Sequence, residues 1–93
     1  MDKLTIDGKT FSGYTIKTTN VSMLMINGAK GMLACGYISM PAADKFGDSM
    51  ATVTGVSSYD DMLNKPVVAV SKAAEALGAR VGMTGKAALL KFA

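Results

Sequence analysis

The chain reads as a single α+β domain, residues 1–93: a two-layer sandwich in which an N-terminal antiparallel β meander carries C-terminal helices on the sheet. Three observations predict it. β-prone runs punctuated by Asp7-Gly8 and Asn27-Gly28, both strong hairpin signals, fill the first forty residues. The second half turns to alanine-rich segments with helix-opening and helix-closing residues. Hydrophobic residues make up 49% of only 93 positions, enough for one core and no more.

Taken in order, Leu4-Thr5-Ile6 alternates between two faces before the Asp7-Gly8 turn. Phe11 to Ile16 forms a second run, where Gly13 marks a bulge or a close backbone approach. Thr18-Thr19-Asn20 breaks it. Val21 to Ile26 gives a third strand, and Met32 to Cys35 returns antiparallel to it after a loop longer than two residues. Pro41 to Phe46 reads as a short helix opened by proline and stopped by Gly47. Ala51 to Val56, β-branched and apolar, is a buried strand. Ser57 and Ser58 stand three residues before Asp60 and Asp61, as in a capping box, and open a helical turn that ends before Pro66.

The spacing then predicts an amphipathic helix over 66–77. Val67, Val70, Ala74 and Leu77 step by three, four and three into one apolar stripe, with Lys72 and Glu75 off it. Gly78 is placed to terminate it in the left-handed conformation. Thr84 caps a last helix containing Ala87 to Leu90 and Phe92.

Composition excludes several function classes. Net charge is +3 and thinly spread, without a basic run or an arginine stripe, so nucleic acid is not an expected partner. No apolar run approaches the roughly 20 residues that span a bilayer, and Met1 to Thr5 lacks a signal-peptide core, so no membrane association is expected. One cysteine and no histidine leave no zinc-type ligand set, and no metal or cofactor is expected. A lone thiol fits a reducing, cytoplasmic setting. Charged residues are 18%, against about 25% in an ordinary soluble domain. So small a domain cannot hide that much apolar surface alone, which points to a homo-oligomer.

Chemistry, if there is any, centres on Gly31-Met-Leu-Ala-Cys35-Gly36-Tyr37-Ile38. Cys35 is the candidate catalytic residue; with no imidazole in the chain, a cation or helix N-terminus would have to favour its thiolate. It reads equally as a small buried hydrophobe. Gly36 opens the backbone to a ligand, and Tyr37 supplies a face and a hydroxyl. Tyr14 is a further candidate from a neighbouring strand. Gly82-Met-Thr-Gly-Lys86 has the look of a phosphate loop but fails its pattern at Arg80 and Ala87. Its glycines and helix start, with Arg80 and Lys86, remain candidates for attracting an anionic group. Asp44, Asp48, Asp60 and Asp61 fit helix-end charge rather than a metal site. Eight methionines suit adaptable packing.

These residues also carry a resemblance. The Gly31 to Ile38 segment resembles the "G-x-hydrophobic-x-C-G" segment of the YunC-like family, a bacterial and archaeal domain of unknown function. Ala51 to Val56 resembles its "A-x-x-x-G-V" strand, Asp60 to Leu63 its acidic helix, and Val70 to Lys86 its "A-x-x-x-G-x-x-V-G-M-x-G" ending. The resemblance implies an α+β sandwich and a homotetramer built through the N-terminal β region; it brings no reaction. Whether the protein is an enzyme stays open. The leading expectation is a small anionic molecule bound near Cys35-Gly36; the alternative is a non-catalytic assembly or regulatory protein without such a site.

Overall fold

The computed structural model describes all residues 1–93. Six strands form one sheet in sequence order: β1 (Asp2–Ile6), β2 (Lys9–Lys17), β3 (Ser22–Asn27), β4 (Met32–Cys35), β5 (Met50–Val53) and β6 (Ala69–Val70). All neighbours are antiparallel except β4 and β5, which run parallel, with Met32 opposite Met50 and Cys35 opposite Val53. The helices are α1 (Met40–Phe46), α2 (Tyr59–Asn64), α3 (Lys72–Ala76) and α4 (Gly85–Leu90).

The expected meander is present. Asp7 and Gly8 both take positive φ, 50° and 78°, the left-handed pair that matches a two-residue hairpin to strand twist. The β3–β4 loop is longer, closed by Gly28 N–H to the Gly31 carbonyl, and Lys30 N–H ties it to the carbonyl of Phe92. Gly13 makes no bulge. It pairs regularly with Ile26 and lies under the Tyr59 ring, so the missing side chain serves a close approach. Pro41 opens α1 and Gly47, left-handed at φ 75°, stops it as expected, while Ser39, which the sequence reading did not single out, caps its start by accepting from Ala42 N–H at Oγ.

The helix expected over 66–77 is overturned. Val67 and Val68 are extended: Val67 N–H donates to Met83 O and Val68 N–H to Thr52 O. Ala69 and Val70 form β6 at the sheet edge, and only 72–76 is helical. Three valines in four residues favour the pleated chain, and the sheet offers β5 an unpaired edge that this segment fills. Ser71 sets the boundary, since its Oγ accepts from Ala74 N–H as the N-cap of α3. Val67 and Ala74 are buried and Lys72 and Glu75 exposed, as expected, but Val70 is only half-buried and Leu77 is exposed. Strand periodicity and helical periodicity happened to bury the same first residue. Gly78, at φ 101°, does end the helix. The strand expected over 51–56 is shorter, ending at Val53.

The core lies on one face of the sheet. Phe11, Leu24, Ile26, Leu33 and Val53 point to it and meet Met62 of α2 and Ala88, Leu89 and Phe92 at the C-terminus. The helix α1 lies on the other face, where Ala43 covers Ala34 and Met50. It covers only the β4–β5 end. Over β2 and β3 the outer face is open, and Tyr14, Ile16, Met23, Met25 and Ile38 line an apolar hollow of about 260 Å³ there. No helix is long and apolar enough to cross a membrane.

Gly85 is where α4 meets α2. Its amide donates to Lys65 O, and a Cβ on it would collide with the Met62 carbonyl, a backbone atom that cannot swing aside. Gly85→Ala should therefore lower stability by about 2–3 kcal/mol, by overpacking a site without slack. Gly47→Ala, with open space but positive φ, should cost about 1–2 kcal/mol, the strain of one left-handed residue. Urea unfolding of both variants checks the order.

Candidate functional site

The parallel pair creates the site's setting. After Cys35 the chain runs through Gly36, Tyr37, Ile38 and Ser39 into α1 on the outer face. After Val53 it runs through Thr54 to Ser58 into α2 on the core face. Two neighbouring parallel strands thus send their connections to opposite sides, which opens a crevice at their carboxyl ends. A hollow of about 230 Å³ lies there, lined by Cys35, Gly36, Tyr37, Thr54, Gly55 and Val56, and by Val21 and Ser22 where β3 begins.

Cys35 faces the core and is only 5% exposed. Its carbonyl accepts from Ile38 N–H at 3.1 Å, closing the turn through Gly36 and Tyr37. The neighbouring Leu24 N–H donates instead to the Cys35 sulfur, 3.3 Å away. The thiol therefore ends the β3–β4 ladder by satisfying a buried amide. Gly36 is exposed; a Cβ there would press on Thr54 Cγ2 at 3.2 Å, so the glycine keeps the two loops close. Tyr37 is exposed and stands at the rim.

The second loop is held from both ends. Ser58 Oγ accepts from Asp61 N–H at the start of α2, and the Asp61 carboxylate accepts from the amide and hydroxyl of Ser57, at 3.0 and 2.9 Å. Those bonds, the backbone amide foremost, hold the Asp61 carboxyl below its ordinary range. Tyr59 pins the helix start to the sheet, accepting from Thr15 Oγ1 and donating to Asp2 Oδ2 at 2.8 Å. Burial first, and then Asp2, raise the Tyr59 phenol above its ordinary value, against the lowering effect of Thr15.

The other sequence candidates lie apart from this crevice. Lys86 pairs with Asp7 at 3.3 Å, and the Asp7 turn belongs to the Lys9 end of β2, whereas Cys35 lies at the Lys17 end. The turn before Lys86 is packed against α2 at Gly85, whose amide is already donated to Lys65 O and is not open to an anion. Arg80 donates to the carbonyls of Glu75 and Ala79 at 2.8 Å. Tyr14 lines the outer-face hollow instead. Asp44 accepts from Lys72 N–H at the start of α3, and no group of acidic or thiol side chains could hold a metal ion. Sequence reasoning passed over Thr54, Gly55 and the Val21–Ser22 wall. The available signal was the order strand, helix, strand over 32–53, the crossover that a parallel pair requires and that leaves a crevice at its carboxyl end.

An α+β sheet with one parallel pair and a crevice at its carboxyl end defines the class of protein. The chain belongs to the family described as Domain of unknown function (DUF1805), whose model matches residues 34–92. It is 31% identical over 91 residues to the uncharacterized protein YunC of Bacillus subtilis (strain 168), covering 94% of this chain and 90% of that protein. The crystal structure of a protein of unknown function, TA1206 from Thermoplasma acidophilum, matches with a TM-score of 0.94 at 34% identity, covering 99% of this chain and 90% of that one. These relatives are themselves without an assigned activity.

Replacing the Cys35 sulfur separates its packing role from its chemistry. Cys35→Ala leaves the buried Leu24 amide without an acceptor and should cost about 1–3 kcal/mol. Cys35→Ser, which keeps an acceptor, should recover part of that loss. Equal unfolding midpoints for the two variants would show that the sulfur–amide contact contributes nothing.

Proposed function

We propose that this protein is a small cytoplasmic homo-oligomer whose subunits each bind a small molecule at the carboxyl ends of β4 and β5. The observation that carries the reading is the crevice itself, opened where two adjacent parallel strands diverge to opposite faces. Its walls suit a ligand: glycines at 36 and 55 leave backbone within reach, and the Tyr37 ring and hydroxyl stand at the rim. Cys35 forms part of the floor. Its sulfur already accepts a buried amide, which favours a wall residue over an attacking nucleophile, so the reading is of binding rather than of thiol catalysis. In this reading Arg80 and Lys86 serve a crevice only when a neighbouring subunit brings them to it.

Assembly is supported by the open outer face. Ile16 is 62% exposed and Tyr14 39%, beside the half-buried Met23 and Met25, an apolar surface of the kind that subunits cover. A tetramer joined through this β region agrees with what the YunC-like resemblance implies.

Light scattering should give a mass that is a multiple of 9.6 kDa, and Ile16→Glu should reduce it to one chain without unfolding. A wild-type mass of a single chain at all concentrations would remove the assembly half of the proposal. For the site, amide NMR with a panel of small fragments should move Gly36, Tyr37 and Gly55 in the wild type. Gly36→Val, which fills the gap against Thr54, should abolish those shifts. Shifts that survive this variant unchanged, or that fall elsewhere, would overturn the assignment.

A further inference from the structure

The hollow beside Cys35 is one end of a longer groove. Val21, Ser22 and Val56 line both it and a second hollow of about 400 Å³ between the β2–β3 and β5–α2 loops. The two ends differ in chemistry. The Cys35 end is walled mainly by apolar surface and glycine. The other is lined by Lys17, Thr18, Thr19, Asn20 and Ser57, side chains rich in hydrogen-bond donors.

Some of those donors are already used. The Thr18 hydroxyl donates to Val21 O and accepts from Val21 N–H, and the Ser57 hydroxyl donates to Asp61. Lys17, Thr19, Asn20 and Ser22 make no side-chain hydrogen bond within the chain, and the molecule's one ion pair, Lys86 with Asp7, lies at the opposite end of β2. Lys17 is also the only charged residue lining either hollow. The carboxylate next to the groove, Asp61, is turned into the amide and hydroxyl of Ser57, which biases an anion toward the 17–22 loop.

We infer that the groove takes a small phosphate monoester, its phosphate held by Lys17, Thr19, Asn20 and Ser22 and its organic part running past Val21 and Val56 to the Cys35–Gly36–Tyr37 wall. The inference rests on the binding reading given above and adds the ligand class and the residues that select it. A lysine acts on phosphate as a compact point charge, whereas planar carboxylate is matched best by an arginine fork, which this groove lacks. A terminal phosphate also offers three acceptor oxygens to four free donors, where a carboxylate offers two. The polar end opens to water, so the anion keeps part of its hydration while the organic part buries apolar surface at the other end.

Titration of the amide-labelled full chain with inorganic phosphate, benzyl alcohol and phenyl phosphate, and with benzoate as the carboxylate control, tests this. Inorganic phosphate should move the amides from Lys17 to Ser22, benzyl alcohol those of Gly36, Tyr37 and Gly55, and phenyl phosphate both sets, binding more tightly than either part. Lys17→Gln should weaken phenyl phosphate by about tenfold, the scale of one charge-assisted hydrogen bond, and leave benzyl alcohol unchanged. Lys9→Gln, the same loss of charge at the far end of β2, should leave the binding of every one of these ligands unchanged. Silent Lys17–Ser22 amides, no effect of Lys17→Gln, or benzoate binding as tightly as phenyl phosphate would overturn the phosphate assignment while benzyl alcohol still marks the crevice. Loss of the benzyl alcohol shifts as well would remove the binding reading on which it rests.

Discussion

Running β4 and β5 side by side in parallel is the constraint on which the rest of the structure depends. A parallel pair cannot be joined by a tight turn, so the chain must leave β4, cross one face and re-enter at the far end. Here the crossing is α1, and it occupies the outer face. The next connection, into α2, must then use the face that α1 left free. The helices α2 and α4 are consequently packed on the opposite side from α1, with Met62, Ala88 and Leu89 filling the space above Leu33 and Val53. The crevice at the carboxyl ends follows without any further device in the sequence.

The same constraint sets the hydrophobic pattern strand by strand. All four residues of β5, Met50 to Val53, are buried, because helices lie on both of its faces. In β3 the alternation is strict at its centre: Leu24 and Ile26 are buried under the helices, while Met23 and Met25 face outward and are half-covered. Nothing in the single chain lies over that outward row. Single exposed apolar side chains such as Phe46, Val68 and Val81 lie elsewhere, but at the open end of the sheet Tyr14, Ile16, Met23 and Met25 gather into one continuous apolar hollow.

Legibility in the sequence followed how local each signal was. The Asp7-Gly8 hairpin, the Ser58, Ser71 and Thr84 caps and the glycine stops at 47 and 78 are each decided within about four residues, and all are where turn and cap chemistry puts them, although Ser71 was hidden inside the helix expected over 66–77. That helix failed because its outcome was decided at a distance. The free edge of β5, at Thr52 and Met50, and the 82–83 backbone beside Val67 hold Val67 to Ser71 as an extended segment. The site divides in the same way. Cys35, Gly36 and Tyr37 are adjacent in sequence and were legible together, whereas Thr54 and Gly55 join them only through strand pairing. Arg80 and Lys86 looked like the groove's cations because a glycine-lysine turn is a local signal. Lys17 lines the groove through the β2–β3 register, and no local pattern distinguishes it from the other lysines.

Cys35 joins these levels at one atom. Where β4 ends, its carbonyl must turn away to close the Cys35–Ile38 turn that sends the chain to α1. That movement strips the Leu24 amide of the backbone acceptor a longer strand would have supplied. A sulfur is a weak acceptor, but its long bonds let it reach the amide at 3.3 Å while its bulk still fills apolar space. Serine would reach less far and fill less; alanine would accept nothing. The residue that first suggests thiol chemistry in the sequence is thus the one that lets the strand stop there. Where that strand stops is where the groove begins.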